Sequence, residues 1–186
     1  STGTWPMSEP TALLDPLKPV SVEARLWRDG RFVQDTWQRL RDDAPIPPSG
    51  RIIVTLDRWQ KDERTLRERE APTGLAVPIG ADFSSLMRML PLARLISLPF
   101  PRFSDGRSYS TARQARDAGF GGELRATGDI LLDQLPLMLR TGFETFEITD
   151  AATIHALERR PPPTIALVYQ SGCEPSFREW RSRSAG

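Results

Sequence analysis

The sequence is poorest in the side chains that hold metals and clusters. Of its 186 residues one is cysteine, Cys173, and one is histidine, His155. A single cysteine excludes an internal disulfide and a thiolate-held iron–sulfur cluster, which needs several thiolates. Cysteine and histidine together supply too few ligands for a structural zinc site, so no metal is expected. A chain without disulfides reads as cytoplasmic. Charge of one sign is also missing: 25 basic side chains face 24 acidic ones, a net charge of +1. That balance supplies no electrostatic reason for a nucleic acid or an anionic membrane as partner. No apolar run approaches the roughly 20 residues of a membrane span, and the opening STGTWPMSEPT lacks the charged start and apolar middle of a secretion signal. Glycine-rich dinucleotide and phosphate-loop fingerprints are absent; GFGG (119–122) reads as a helix stop and turn. No bound cofactor is therefore expected. Five tryptophans are scattered without period, as packing anchors are.

What remains is an ordinary globular composition, 39% hydrophobic and 26% charged, in a chain of one domain's length. Residues 1–20, rich in Pro, Ser and Thr, predict a loosely held N-terminal segment. Residues 21–170 form one α/β domain, and 171–186 a polar tail. Within the domain, ARLWRDGRFVQ carries Asp29-Gly30 between two apolar pairs, a two-residue β-hairpin signal, and 21–44 is assigned to this hairpin part. APIPPSG (44–50) is a linker, because proline restricts itself and its predecessor.

From residue 51 to 170 a rhythm follows. Apolar segments begin near Ile52, Leu75, Ala93, Glu123, Thr145 and Thr164, separated by stretches of helical character. Short strands alternating with helices mean βα units and a parallel sheet. Asp82, Asp129 and Asp150 precede helical runs as N-caps, and Gly119 and Gly142 follow two of them. Pro136, inside DILLDQLPLMLR, should bend that helix or shift its start.

Strand alternation separates the faces. Ile52, Val54 and Leu56 share one; Leu124 and Ala126 oppose Glu123 and Arg125; Phe146 and Ile148 oppose Thr145 and Glu147. Sheets sandwiched by helices are apolar on both sides. A polar face bearing Thr55, Arg125, Thr145 and Glu147 instead predicts a partial TIM-like barrel of about five or six parallel strands, short of the roughly 250 residues of a complete one. A flavodoxin-like open sheet is the alternative.

Functional loops in such folds follow the strand ends. FPRFSDGRSYSTARQARD (100–117) is one, and RATGD (125–129) is read as its neighbour. Asp105, Arg107, Tyr109, Ser110, Arg113, Arg125, Asp129 and Gln134 thus become an anion- or partner-binding set, since guanidinium forks and helix-start donors suit oxyanions. The competing reading pairs the aspartates with the arginines to fix the loops. Glu123 and Glu147 join the set from the polar face, as acid–base groups or as ion-pair partners. His155 reads as solvated and Cys173 as unactivated. The catalytic residues are not legible at this level.

The same stretch, continued through GELRATGDILLDQLPLMLRTGFETF, resembles a bacterial family, the domain-of-unknown-function 934 family. Its pattern runs approximately FPxFxDGRGYSxAR, GELRAxGDVLxDQL, RCGFDxF. This chain departs from it at Ser108, where the pattern has glycine; at Pro136; and at Thr141, where it has cysteine. The resemblance implies an accessory role in assimilatory sulfite reduction, docking on sulfite reductase or its electron donor. A small-anion enzyme or sensor is the alternative, and a flavin- or NAD(P)-dependent oxidoreductase, the family's label, a second. An open barrel edge also admits a homo-oligomer.

Overall fold

The computed structural model describes residues 23–101 and 106–159. The strand expected from Thr164, together with Asp105 and Cys173, lies outside them. Asp29 and Gly30 both take positive φ (49° and 81°), the turn whose twist matches two antiparallel strands. They join β1 (Arg25–Arg28) to β2 (Arg31–Val33).

Next comes β3 (Trp37–Arg39), too short to register as a periodic pattern. The expected segments follow as β4 (Arg51–Thr55), β5 (Thr73–Ala76), β6 (Leu95–Phe100), β7 (Glu123–Gly128) and β8 (Thr145–Ile148). Strand β3 pairs with β4, and each later strand pairs parallel with its successor; β1 closes onto β8 antiparallel. The fold is thus mixed α/β around an eight-stranded sheet ordered β2-β1-β8-β7-β6-β5-β4-β3. Strands β3 to β8 keep chain order, without the reversal of a doubly wound sheet at its switch point.

Local chemistry sets the helix starts. The Thr55 hydroxyl accepts from the Arg58 amide, so α1 (Leu56–Lys61) begins on the last residue of the apolar run, and Leu56 belongs to the helix rather than to the strand face. After it, α2 (Glu63–Glu68) completes the crossover. Asp82 caps α3 (Phe83–Met87) through the Ser84 amide; hydrogen bonds from Ser84 hold its carboxyl below the usual range. Next are α4 (Arg107–Asp117), α5 (Leu135–Thr141) and α6 (Ala151–Arg159), the last capped by Asp150 accepting from the Thr153 amide at 2.6 Å. Pro136 shifts the start of its helix: Leu132–Gln134 is a 3-10 turn, and proline takes the second position of α5, where no donor is needed. Asp129 caps nothing, because the 3-10 turn intervenes.

One sheet face and the helices share the core. Trp27, Val54, Leu75, Ile96, Leu98, Leu124, Phe146 and Ile148 pack with Trp59, Leu66, Leu86, Ala112, Leu135, Met138 and Ile154. Each such large side chain stabilises the fold by about 1.5–3 kcal/mol.

The opposite face is the polar one, and it curls inward. Only Gln34, Asp35 and Thr36 separate β2 from β3, which are the two edges of the sheet. Four virtual bonds of about 3.8 Å reach at most ~15 Å. Laid flat, seven steps of about 4.8 Å would put those edges ~34 Å apart. The open sheet is therefore rolled into a half-barrel whose rims lie within about 15 Å of each other.

Candidate functional site

Arg125 is the third residue of β7, and alternation turns it to the hollow side with Glu123 and Thr127. It is 1% exposed. Leaving a buried guanidinium without partners would cost several kcal/mol, and the surrounding side chains supply them. Its Nη1 and Nη2 donate to the Asp35 carboxylate at 2.6 and 3.1 Å, and Nη2 also donates to Glu123 Oε1 at 3.1 Å. Thr145 Oγ1 donates to that same Glu123 oxygen at 2.7 Å. Burial favours loss of the Arg125 proton, but the hydrogen bond to Asp35 and the charges of Asp35 and Glu123 outweigh it, raising the pKa above the ordinary value. Arg39 joins from β3, donating to Glu147 at 2.7 Å and to Ser97 at 3.2 Å; Arg28 Nη1 lies 3.8 Å from Glu123.

Glu123 and Glu147 are thus ion-pair partners, held by Arg125, Arg28 and Arg39. The arrangement neutralises charge inside the half-barrel and fixes its walls. Asp35 and Arg39 escaped the sequence reading; their only signal was the alternation Asp35, Trp37, Arg39 just after the hairpin.

The remaining expected residues gather elsewhere, at the carboxyl ends of β6 and β7. Here RATG is strand, not loop, because Gly128 still pairs in register with Ile148; Arg125 consequently sits inside while Asp129 sits at the exit. The Asp129 amide donates to Phe100 O at 2.8 Å, tying the two exits together. Arg107 and Ser110 are exposed on the first turn of α4. Arg107 Nη1 lies 3.8 Å from where a Cβ on Gly80 would stand, beside the exit of β5. Arg113 is exposed and paired with Asp117 at 3.5 Å.

Tyr109 turns inward, its ring 5.1 Å from Phe100 and 6.3 Å from Phe143. Burial, then the nearby Asp133 charge, raises its pKa. Gln134 Oε1 accepts from the Leu131 amide at 3.0 Å, a local capping role. Two departures from the family pattern are accommodated here: buried Ser108 donates to Pro99 O at 2.6 Å, and Thr141 donates to Leu137 O at 2.8 Å.

Apart from Arg113, which pairs with Asp117 along α4, the described part of the expected set divides in two. Glu123, Arg125 and Glu147 form the interior network, while Arg107, Tyr109, Ser110, Asp129 and Gln134 stand at the exit end. His155 lies exposed on α6, 4.0 Å from Glu158. Among the described residues no group of three metal-ligating side chains comes together, and no helix is long and apolar enough to cross a membrane.

Comparison with solved structures finds the receiver domain of the histidine kinase CKI1 from Arabidopsis thaliana, complexed with Mg2+ and BeF3-. It is 12% identical, with a TM-score of 0.32, covering 59% of this chain and 90% of that one. A point mutant of the same receiver domain matches at 13% identity, a TM-score of 0.32, 59% and 89%. At those scores nothing is carried over to this chain. No curated protein matches it. A family model does, over residues 74–177: β5 to α6 and beyond, including both strand exits and Arg125. On that match, which spans more than half of its length, the chain belongs to the bacterial proteins of unknown function grouped as DUF934.

Proposed function

We propose that the protein is an accessory component of assimilatory sulfite reduction that works by docking its strand-exit rim on sulfite reductase or on that enzyme's electron donor. The family resemblance supplies the pathway. The observation that carries the docking role is the surface of the 3-10 turn and α5. Leu132 and Leu137 are 39% and 48% exposed there, next to exposed Asp133 and Pro136. Asp133 lies close enough to Tyr109 to act on its hydroxyl, which sets this apolar surface beside the charged start of α4. Exposed leucines rimmed by charge suit a protein interface, where apolar contacts give affinity and the rim gives register. The paired interior network supports the same reading, since its charges are spent on one another and position the walls. In this reading the half-barrel is a fragment of a βα barrel, and its exit end keeps the role that end has in such folds.

The test is capture of purified sulfite reductase and its electron donor by the tagged protein, compared with the Leu132→Asp/Leu137→Asp variant. Both leucines are solvent-facing, so the variant should fold. Capture by the parent and at least tenfold weaker capture by the variant is the expected result. Equal capture by both, or none by the parent, would overturn the proposal.

A further inference from the structure

A further opening lies at the other end, where the parallel strands begin. It has a volume of about 980 Å³ and is bordered by Arg51 at the start of β4, Arg94 just before β6, and Trp37 at the start of β3. That volume matches clefts that take small organic molecules, about 300–1,000 Å³.

Its charge is one-sided. Of its bordering carboxylates, Glu123 is held by Arg125 from outside the lining and lies 3.8 Å from Arg28 within it, and Glu144 lies 3.9 Å from Arg116, outside it. Arg51 and Arg94 have no carboxylate partner among the described residues; Arg51 rests over Trp37, 5.8 Å from the ring centre, and touches the Thr36 hydroxyl at 3.3 Å. The Arg94 backbone is locked on both sides, its amide donating to Thr73 O at 2.8 Å and its carbonyl accepting from Glu123 N at 3.0 Å. The exposed guanidinium therefore stands on a rigid base. The lining also holds Leu90 and Phe120, which are buried, and Pro91 and Met87, which are exposed, Met87 at 49%. Two guanidinium forks without a carboxylate partner, bordering the same cleft as exposed apolar side chains, are the chemistry of an amphiphilic anion.

We propose that this cleft binds an organic anion, with an apolar or aromatic body against Met87 and Pro91 and a sulfonate, carboxylate or phosphate group held by Arg51 and Arg94. The site is independent of the exit-rim docking surface.

Anilinonaphthalene sulfonate is the probe, with phenylnaphthylamine as the same aromatic body without the anion. Titrations followed by dye fluorescence are made in the Leu132→Asp/Leu137→Asp background, which removes the exit-rim patch. Saturable one-to-one binding of the sulfonate dye is expected, weakened at least tenfold by Arg51→Ala/Arg94→Ala and unchanged by Arg64→Ala/Arg67→Ala on α2. Phenylnaphthylamine binding should be the same with and without Arg51 and Arg94. Absence of saturable binding, or equal losses in the two arginine pairs, would refute the site. All four arginines are exposed, so these variants retain the fold.

Discussion

Arg125 shows what a single position in a strand can and cannot announce. Its direction followed from alternation: with Leu124 and Ala126 facing the helices, it had to face the hollow. Glu123, two residues away on the same face, was legible as an ion-pair partner; Asp35 was not, because it lies 90 residues away and reaches Arg125 only through the curl of the sheet. That distance also explains why RATGD was read as a loop. A charged residue beside Thr and Gly looks like an exit until a carboxylate from another element makes its burial tolerable. The energetic consequence is asymmetric. Arg125→Met preserves length and apolar volume but strands Asp35 and Glu123 against each other, and should cost about 3–5 kcal/mol. Urea denaturation measures it; a loss below about 1 kcal/mol would mean that the network is ornamental. The variant's effect belongs to stability, so any loss of partner capture should scale with the unfolded fraction.

Among elements, the long periodic ones were legible and the short ones were not. Strands β4 to β8 declared themselves by apolar runs, and the hairpin by Asp29-Gly30. The three-residue β3 lies below any detectable period, yet it supplies Arg39 and one edge of the sheet. Pro136 was read correctly as a boundary problem, since a missing donor is harmless only in a first turn. The turn from α4 to β7 carries a tighter constraint. A Cβ on Gly122 would stand 2.4 Å from the Phe120 ring and 2.8 Å from Arg94 O. The carbonyl is fixed by its bond to the Glu123 amide, so the backbone must move. Gly122→Ala should therefore lower stability by about 1–3 kcal/mol, visible as a reduced denaturation midpoint. A midpoint equal to that of the parent would show that the turn relaxes freely.

At the scale of the whole molecule, the curl was anticipated from the polar face, but its cause was not. A stretch of three residues between two edges draws the rims together, and Arg39 on the β3 edge reaches across the hollow to Glu147 on β8 and Ser97 on β6. The ion pair is half-exposed, with Arg39 at 45% and Glu147 at 23%, so its share of global stability is small, about 0–1 kcal/mol. Its share of edge order is larger. Arg39→Ala should speed amide exchange in β3 while leaving β6 and β7, at the centre of the sheet, protected. Unchanged exchange at Trp37–Arg39 would assign closure to the Asp35–Arg125 bridge alone.

The link from Val33 to Trp37 has one more effect. A β-ribbon with free margins can recruit identical chains and grow without limit. Here a three-residue tether keeps the two margins within about 15 Å of each other, so a stranger's strand would meet two confined edges rather than one open front.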